Sequence, residues 1–336
     1  MKELLKKLCL LNAPSGNEDA VREFIIDEIK DYCQYSVDAL GNIIAFKKGK
    51  NQAKNKVLVD AHMDEVGFIV TNITNDGFIK FSTVGGIASV ALLAKRVVIG
   101  KTVGVVGCKP AHFCKGEEAK KAPDESELYI DIGALDKREA EKYVNIGDFG
   151  TFESDFICLG DMVKGKAIDD RAGCAVIISL LKEENDYDFY ASFSVQEEVG
   201  LRGARTAAFA VEPEFAVCID ATTASDISGV DKEKWVCKCG SGPAVSFMDR
   251  ATLYEKELYN AAINSGITAQ PKAFVSGGNN AGAVHLSKSG VRTLALSLPC
   301  RYIHSSTCVA SIKDLENLKA LSKKMLNDMA AGVFKK

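Results

Sequence analysis

The sequence has one tryptophan, Trp235, and no apolar run that approaches the ~20 residues needed to cross a bilayer. Sugar-binding sites favour aromatic platforms, so the scarcity of Trp speaks against carbohydrate chemistry. Neither sign of charge dominates: 42 Lys and Arg stand against 45 Asp and Glu, a net charge of −3. That balance gives no general electrostatic reason to bind nucleic acid or an anionic membrane. The 11 cysteines contain no Cys-x-x-Cys spacing, and Cys237 and Cys239 are the closest pair. Scattered thiols without a framework suggest a reducing, cytoplasmic compartment, where they serve as small core residues. Charges interrupt the apolar residues of Met1-Lys2-Glu3-Leu4-Leu5-Lys6-Lys7-Leu8 and no small-x-small cleavage pattern follows, so an amphipathic helix is expected there rather than a signal peptide. There is no Gly-x-Ser-x-Gly elbow and no Gly-x-Gly-x-x-Gly after a strand. Gly100-Lys101-Thr102 has Lys95 where a phosphate loop needs glycine.

What is present is an ordinary globular composition, 47% apolar and 26% charged. The 336 residues suit two domains at about 150 residues each. Ser15 is placed to cap a helix with Val21, Phe24, Ile25 and Ile29 on one face. Short β-type runs follow at Asn42–Phe46 and Lys56–Ala61. From 66 to 156 the pattern changes to short β-rich runs separated by Gly, Asn-Asp-Gly and Lys-rich turns, as in a small β-barrel or sandwich. The charged stretch Lys115–Glu127 reads as an exposed, mobile loop. From 157 onward helix and strand alternate again: helices are expected at Arg171–Glu184, Gly203–Val211, Leu253–Asn264, Ala281–Ser289 and Ile312–Val333, and strands at Asp188–Val195, Phe215–Ile219 and Arg292–Leu298. One α/β domain (1–65 and 157–336) is thus expected to be split by a β-rich insert (66–156).

Five segments deliver acids or histidines close to a strand end or helix start. Lys56–Ala61 runs into His62-Met63-Asp64, Asp188–Val195 into Gln196-Glu197-Glu198, and Phe215–Ile219 into Asp220. His304 follows Arg292–Leu298 closely, and Asp169-Asp170 opens a helix. Ligands of open α/β sheets gather at the carboxyl ends of strands. Imidazoles and carboxylates suit zinc, cobalt or manganese. If His62 and Asp220 hold one divalent ion, Glu198 and His304 a second, and Asp169 bridges them, three carboxylates and a hydroxide neutralise the pair, and the water is acidified. Asp64, two residues from His62 on an extended segment, can fix the imidazole tautomer. Glu197 remains as a general base. Taken singly, each residue has an ordinary explanation: a satisfied strand-end histidine, a solvated Glu pair, a helix N-cap with its ion pair. The weight lies in their joint placement. His285 reads as structural and His112 as a loop or interface residue.

His62-Met63-Asp64-Glu65-Val66-Gly67-Phe68, Ala167-Ile168-Asp169-Asp170-Arg171-Ala172-Gly173, Gln196-Glu197-Glu198-Val199-Gly200-Leu201-Arg202-Gly203-Ala204 and Arg301-Tyr302-Ile303-His304-Ser305 together resemble the tetrahedral aminopeptidases. These make up metallopeptidase family forty-two, also called glutamyl-aminopeptidase or cellulase-M-like proteins. The resemblance covers nearly the whole chain, including Asn12-Ala13-Pro14-Ser15-Gly16. It implies a dimetal aminopeptidase fold, a mixed sheet flanked by helices with an inserted β-barrel-like dimerisation domain. It further implies two divalent ions per subunit, with His62, Asp169, Glu198, Asp220 and His304 as ligands and Asp169 bridging. Glu197 would be the base and Asp64 the orienting residue. The implied reaction is attack of a metal-bridging hydroxide on the first peptide carbonyl of short peptides, within dimers that assemble into a tetrahedral dodecamer. The cellulase name raises glycoside hydrolysis as an alternative, and a non-catalytic member of the fold is another.

One departure stands out. The family reads Gly-Gly-Thr-Asp-Ala-Gly where this chain has Gly277-Gly278-Asn279-Asn280-Ala281-Gly282. Either Asn280 removes a carboxylate that would hold a cationic group near the site, or it simply caps the helix beginning at Ala281.

Overall fold

The computed structural model describes residues 1–116 and 120–334. Its strands, in chain order, are β1 (Gln34–Val37), β2 (Ile43–Lys47), β3 (Val57–His62), β4 (Gly67–Ile73), β5 (Ile79–Val84), β6 (Arg96–Ile99), β7 (Thr102–Gly107), β8 (Tyr129–Asp131) and β9 (Phe149–Phe152). Then come β10 (Ile157–Leu159), β11 (Met162–Gly165), β12 (Phe189–Ser194), β13 (Phe215–Thr223), β14 (Ala244–Val245), β15 (Gln270–Pro271), β16 (Arg292–Arg301) and β17 (Cys308–Ser311). The helices are α1 (Lys2–Leu10), α2 (Asp19–Ile29), α3 (Ser89–Leu92), α4 (Lys137–Ala140), α5 (Ile168–Lys182), α6 (Arg202–Val211), α7 (Lys256–Ile263), α8 (Ala281–Val284) and α9 (Ile312–Ala330).

Among the described residues a mixed sheet runs β1-β2-β12-β3-β13-β16-β17-β11-β10, with β14 joining β16 and β15 at the side. Its centre is parallel, β12 with β3, β3 with β13 and β13 with β16, and its flanks are antiparallel. A parallel centre must be covered on both faces, and β3 is buried at every position. Alternate residues of β3 feed different layers. Val57, Val59 and Ala61 pack with α1, α2, α5 and α9, whereas Leu58 packs with α6 and α8 on the other face. The four parallel strands therefore point their carboxyl ends to one edge.

Between β3 and β10 the chain forms a closed barrel, β4-β5-β8-β7-β6-β9. Its own core includes Phe68, Val70, Ile79, Val97, Ile99, Ile130 and Phe152.

Several expectations are corrected. Ser15 caps no helix: α2 begins after Glu18 with no side-chain cap, and the Ser15 hydroxyl donates to Asp64 instead. Asp220 lies inside β13, not beyond its end, because that strand continues to Thr223 alongside β16. β16 likewise extends to Arg301, and pairing with β14 and β17 sustains it past Leu298. The helix expected over Ala281–Ser289 stops at Val284, with His285 at its C-cap, its Nδ1 2.7 Å from the Ala281 carbonyl. The helix expected from Leu253 begins only at Lys256. In the charged stretch 115–127, residues 117–119 lie outside the described residues. Glu125 is anchored there, accepting from the Thr83 and Ser82 hydroxyls.

Candidate metal centre and active site

Strand geometry delivers the first ligand candidates. His62 ends β3, one strand from Asp220 on β13 and one from the β12 end that leads into Gln196-Glu197-Glu198. Asp169 and Asp170 sit in the first turn of α5 but have non-helical backbone angles, which throws their carboxylates off the helix path. The non-glycine residues Ala167, Gln196, Tyr302 and His304 all have left-handed φ angles near +60°. Each such residue costs about 1 kcal/mol or more. Strain of this kind concentrates at sites where surrounding packing fixes a side chain's direction.

The result is one cluster. Asp169 presents Oδ1 to His62 Nε2 at 3.3 Å and Oδ2 to His304 Nε2 at 3.6 Å. His62 Nε2 also lies 3.9 Å from Asp220 Oδ1, and His304 Nε2 lies 3.1 Å from Glu198 Oε2. Two sets of donor atoms, His62/Asp169/Asp220 and Asp169/Glu198/His304, are each mutually within 4.8 Å and share Asp169. A third set, His62/Glu197/Glu198, meets the same limit. All five ligand candidates named from the sequence thus converge, with Glu197 beside them.

Both histidines have their far nitrogens occupied. His62 Nδ1 faces Asp64, 3.1 Å from its carbonyl and 3.3 Å from Oδ1. His304 Nδ1 donates to the Gly86 carbonyl at 2.9 Å, a contact supplied by the segment after β5. Such bonds fix the tautomer that leaves Nε2 as the free donor. Asp64 also accepts from Ser15 Oγ and from the backbone N–H groups of Glu197 and Glu198 at 3.0 and 3.1 Å. It therefore ties the His62 ring to the loop that carries both glutamates.

The electrostatics are those of buried acids crowded together. Burial pushes the Glu197 carboxyl up to about 8; His62 opposes this, while Glu198, Asp64 and Asp169 add repulsion. Burial, then Asp169 and Glu197, drive Asp220 well above the usual range. Burial alone would lower both histidines, but hydrogen bonds to Asp169 and Asp64 lift His62, and Glu198 lifts His304 to about 10. Four carboxylates crowd two imidazoles, a donor set of the kind that holds divalent cations. The residues present fit such ions. No hydrogen-bond partner is found for the Glu197 carboxylate among the described residues, and it opens with Asp169, Glu198 and Asp220 onto a cavity of about 230 Å³.

Asn280 corrects both expectations made for it. It gives α8 no side-chain cap. Its amide donates to Asp60 at 2.7 Å and to Ser194 Oγ at 2.8 Å, behind His62 rather than in the cavity. A carboxylate at this position would face the buried Asp60, so asparagine suits the partner it has. Arg171 departs from the simple N-cap ion pair as well. It is fully buried and reaches Glu65, which Lys166 also grips at 2.6 and 2.7 Å. His112 is exposed and joins none of these donor sets. Sequence reasoning passed over Glu65, Lys166 and the cavity-lining Lys272. Glu65 and Lys166 sit beside the motifs and could have been flagged as charges within apolar surroundings; Lys272 follows a Gln-Pro pair that reads as an ordinary turn.

A layered α/β sheet with histidines and acids converging at its carboxyl edge places donors able to hold metal ions where such sheets gather their ligands. Residues 41–321 match the model of the M42 glutamyl aminopeptidase family, and the chain belongs to that family. A provisionally named aminopeptidase of Acetivibrio thermocellus is 42% identical over 324 residues, 94% of this chain and 96% of the other. An aminopeptidase of the archaeon Desulfurococcus kamchatkensis superposes with a TM-score of 0.92 at 35% identity, covering 98% of this chain and 95% of that one. The TET1 peptidase of Pyrococcus horikoshii, which can assemble into a tetrahedron or a large octahedral shell, gives 0.82 at 35% identity over 96% and 98%.

Proposed function

We propose that the protein is a dimetal aminopeptidase that removes N-terminal residues from short peptides. The observation that carries this reading is the Asp169 carboxylate, with one oxygen facing each histidine and so able to bridge two ions. In this reading His62 and Asp220 would hold one ion, Glu198 and His304 the other, and Asp169 would serve both. Zinc or cobalt come first and manganese remains an option, since imidazole and carboxylate donors suit all three. When bound, the ions supply Lewis acidity that polarises a carbonyl and acidifies water.

The chain's own residues supply the remaining steps. Asp64 holds the His62 ring and, through the Glu197 and Glu198 amides, the loop bearing the base. Glu197 accepts a proton from water as the water attacks the first peptide carbonyl. It then passes that proton to the departing amine. Glycoside hydrolysis fits less well, because its two carboxylates stand apart across a glycosidic bond and need no metal, whereas these acids crowd shared histidines. The cluster of acids around Glu197 also disfavours a non-catalytic role, since it is costly and serves packing poorly. The family likeness supports a homo-oligomer built from barrel-mediated dimers, up to a tetrahedral dodecamer. The charge balance and the scattered free thiols support a cytoplasmic setting without nucleic-acid or membrane partners. No helix among the described residues is long and apolar enough to cross a membrane.

The test is a panel of aminoacyl amides with zinc, cobalt and manganese. Turnover that is abolished by a chelator and restored by metal is expected. Turnover that survives complete chelation contradicts the proposal.

A further inference from the structure

We propose that the face formed by α6 and the turn after α8 holds a second binding site, for a small carboxylic acid with an apolar body. This site does not depend on the aminopeptidase reading. It is a cavity of about 200 Å³ lined by Arg205, Phe209, Ala283, Leu286, Ser287 and Lys288. None of these residues lines the cavity beside the metal-ligand candidates. Arg205 and Phe209 stand four residues apart on α6, so they share one face of that helix. Ala283 lies on α8, and the two helices pack through Ala204, Ala208, Ala283 and Val284.

Three side chains favour an anion. Ser287 is 8% exposed, and its hydroxyl finds no hydrogen-bond partner among the described residues. A hydroxyl taken out of water without a partner is unfavourable, and the cavity that Ser287 borders has room for one. Arg205 is exposed and forms no ion pair among the described residues, so its guanidinium donors are open to a ligand. Lys288 is held in place: its ammonium lies 2.7 Å from Glu212 and 3.4 Å from the centroid of the Phe209 ring. Glu212 offsets one of the two cations, which leaves one net positive charge.

The walls indicate what carries the anion. Phe209 and Leu286 are 60% and 71% exposed, an apolar surface beside the charged groups. One positive charge balances a carboxylate. A phosphate group brings about −1.5 to −2 at neutral pH and makes no use of the apolar wall. The cavity is smaller than the ~300 Å³ at which drug-sized sites begin, so what enters it is small. The Arg205 fork takes the carboxylate in a charge-assisted pair, the Ser287 hydroxyl donates to it, and the apolar body lies on Phe209 and Leu286. A free aryl or branched acid and the last residue of a peptide ending in Phe or Leu share this chemistry.

The test is calorimetry on the metal-loaded protein with 3-phenylpropionate, its amide, inorganic phosphate, and acetyl-Gly-Gly-Phe as free acid and as C-terminal amide. The acetyl group blocks the amine that an aminopeptidase requires. One site per chain is expected, with 3-phenylpropionate at least about tenfold tighter than its amide. Arg205→Gln should weaken the acid about tenfold or more and Ser287→Ala about two- to tenfold, with turnover of aminoacyl amides unchanged. Binding of the acetylated peptide acid assigns a peptide terminus, and binding of 3-phenylpropionate alone assigns a free acid. Either one, if weakened in Arg205→Gln, upholds the site. Equal binding of acid and amide overturns it, as does phosphate binding as tightly as the acid. Acid binding that a chelator abolishes and Arg205→Gln leaves intact belongs to the metal centre and also overturns it. So does absence of binding to the native protein; if Arg205→Gln then also breaks up an assembly in light scattering, the face is a contact between copies. Should Ser287→Ala fail to fold, the exposed Arg205 still decides the matter.

Discussion

Asp64 and Glu197 occupy neighbouring places but carry different loads, and substitutions should separate them. Glu197→Gln keeps the shape and removes the proton acceptor. Its kcat is expected to fall at least about a hundredfold, the lower range for a lost acid–base catalyst, with metal content by elemental analysis unchanged. Asp64→Asn disturbs the His62 tautomer and the Glu197–Glu198 loop at once. It should lose about 10- to 100-fold in metal affinity or activity, as partners of metal ligands commonly do, measured by competition with a chromophoric chelator. These residues were legible in the sequence because a strand end is both a place in the fold and a place for chemistry. Asn280 was not, because no sequence pattern says that its amide turns toward Asp60 instead of the cavity. Glu65 was not, because its partners Lys166 and Arg171 lie about a hundred residues away.

The join between α5, β3 and the barrel depends on two local features. Gly173 lets α5 approach β3: a Cβ there would meet the Asp170 carboxylate at 2.4 Å and Ala61 Cβ at 2.8 Å. Gly173→Ala should therefore destabilise by about 1–3 kcal/mol through overpacking, measured by urea unfolding. Glu65 is the second feature. It accepts from Ala13 N, Thr151 Oγ1, Lys166 and Arg171, which links the loop after α1, β9 of the barrel, and the approach to α5. Burial alone would raise its carboxyl, but Lys166 and Arg171 outweigh burial and hold it below its ordinary value of 4.5. A depressed carboxyl contributes its full stability above the unfolded value, and that contribution is lost as pH falls through the lower folded value. Glu65→Gln should flatten this acid loss in urea titrations and cost about 3–5 kcal/mol at neutral pH, because it leaves two buried cations uncompensated. The alternation of helices and buried strands was readable from apolar runs. The ends of β13 and β16 were not, since each is prolonged by pairing with neighbours distant in sequence.

As a whole the molecule is a layered α/β body with a closed barrel placed between β3 and β10, and the barrel segment reaches back to the site through the Gly86 carbonyl on His304. The change from helical to short-strand texture near residue 66 made the insert visible in the sequence. Closure of the barrel was not visible, because it depends on β9 pairing with both β4 and β6. If the family's assembly holds, light scattering at neutral pH should give twelve times the 36.2 kDa chain mass, and a lone monomer would leave the dodecamer proposal without support. The central claim is that five residues far apart in the chain hold two cations in common. Crystals equilibrated with zinc and measured by anomalous diffraction test it most directly. The account predicts two peaks, one among His62, Asp169 and Asp220 and the other among Asp169, Glu198 and His304. A single peak, or peaks away from Asp169, would contradict it.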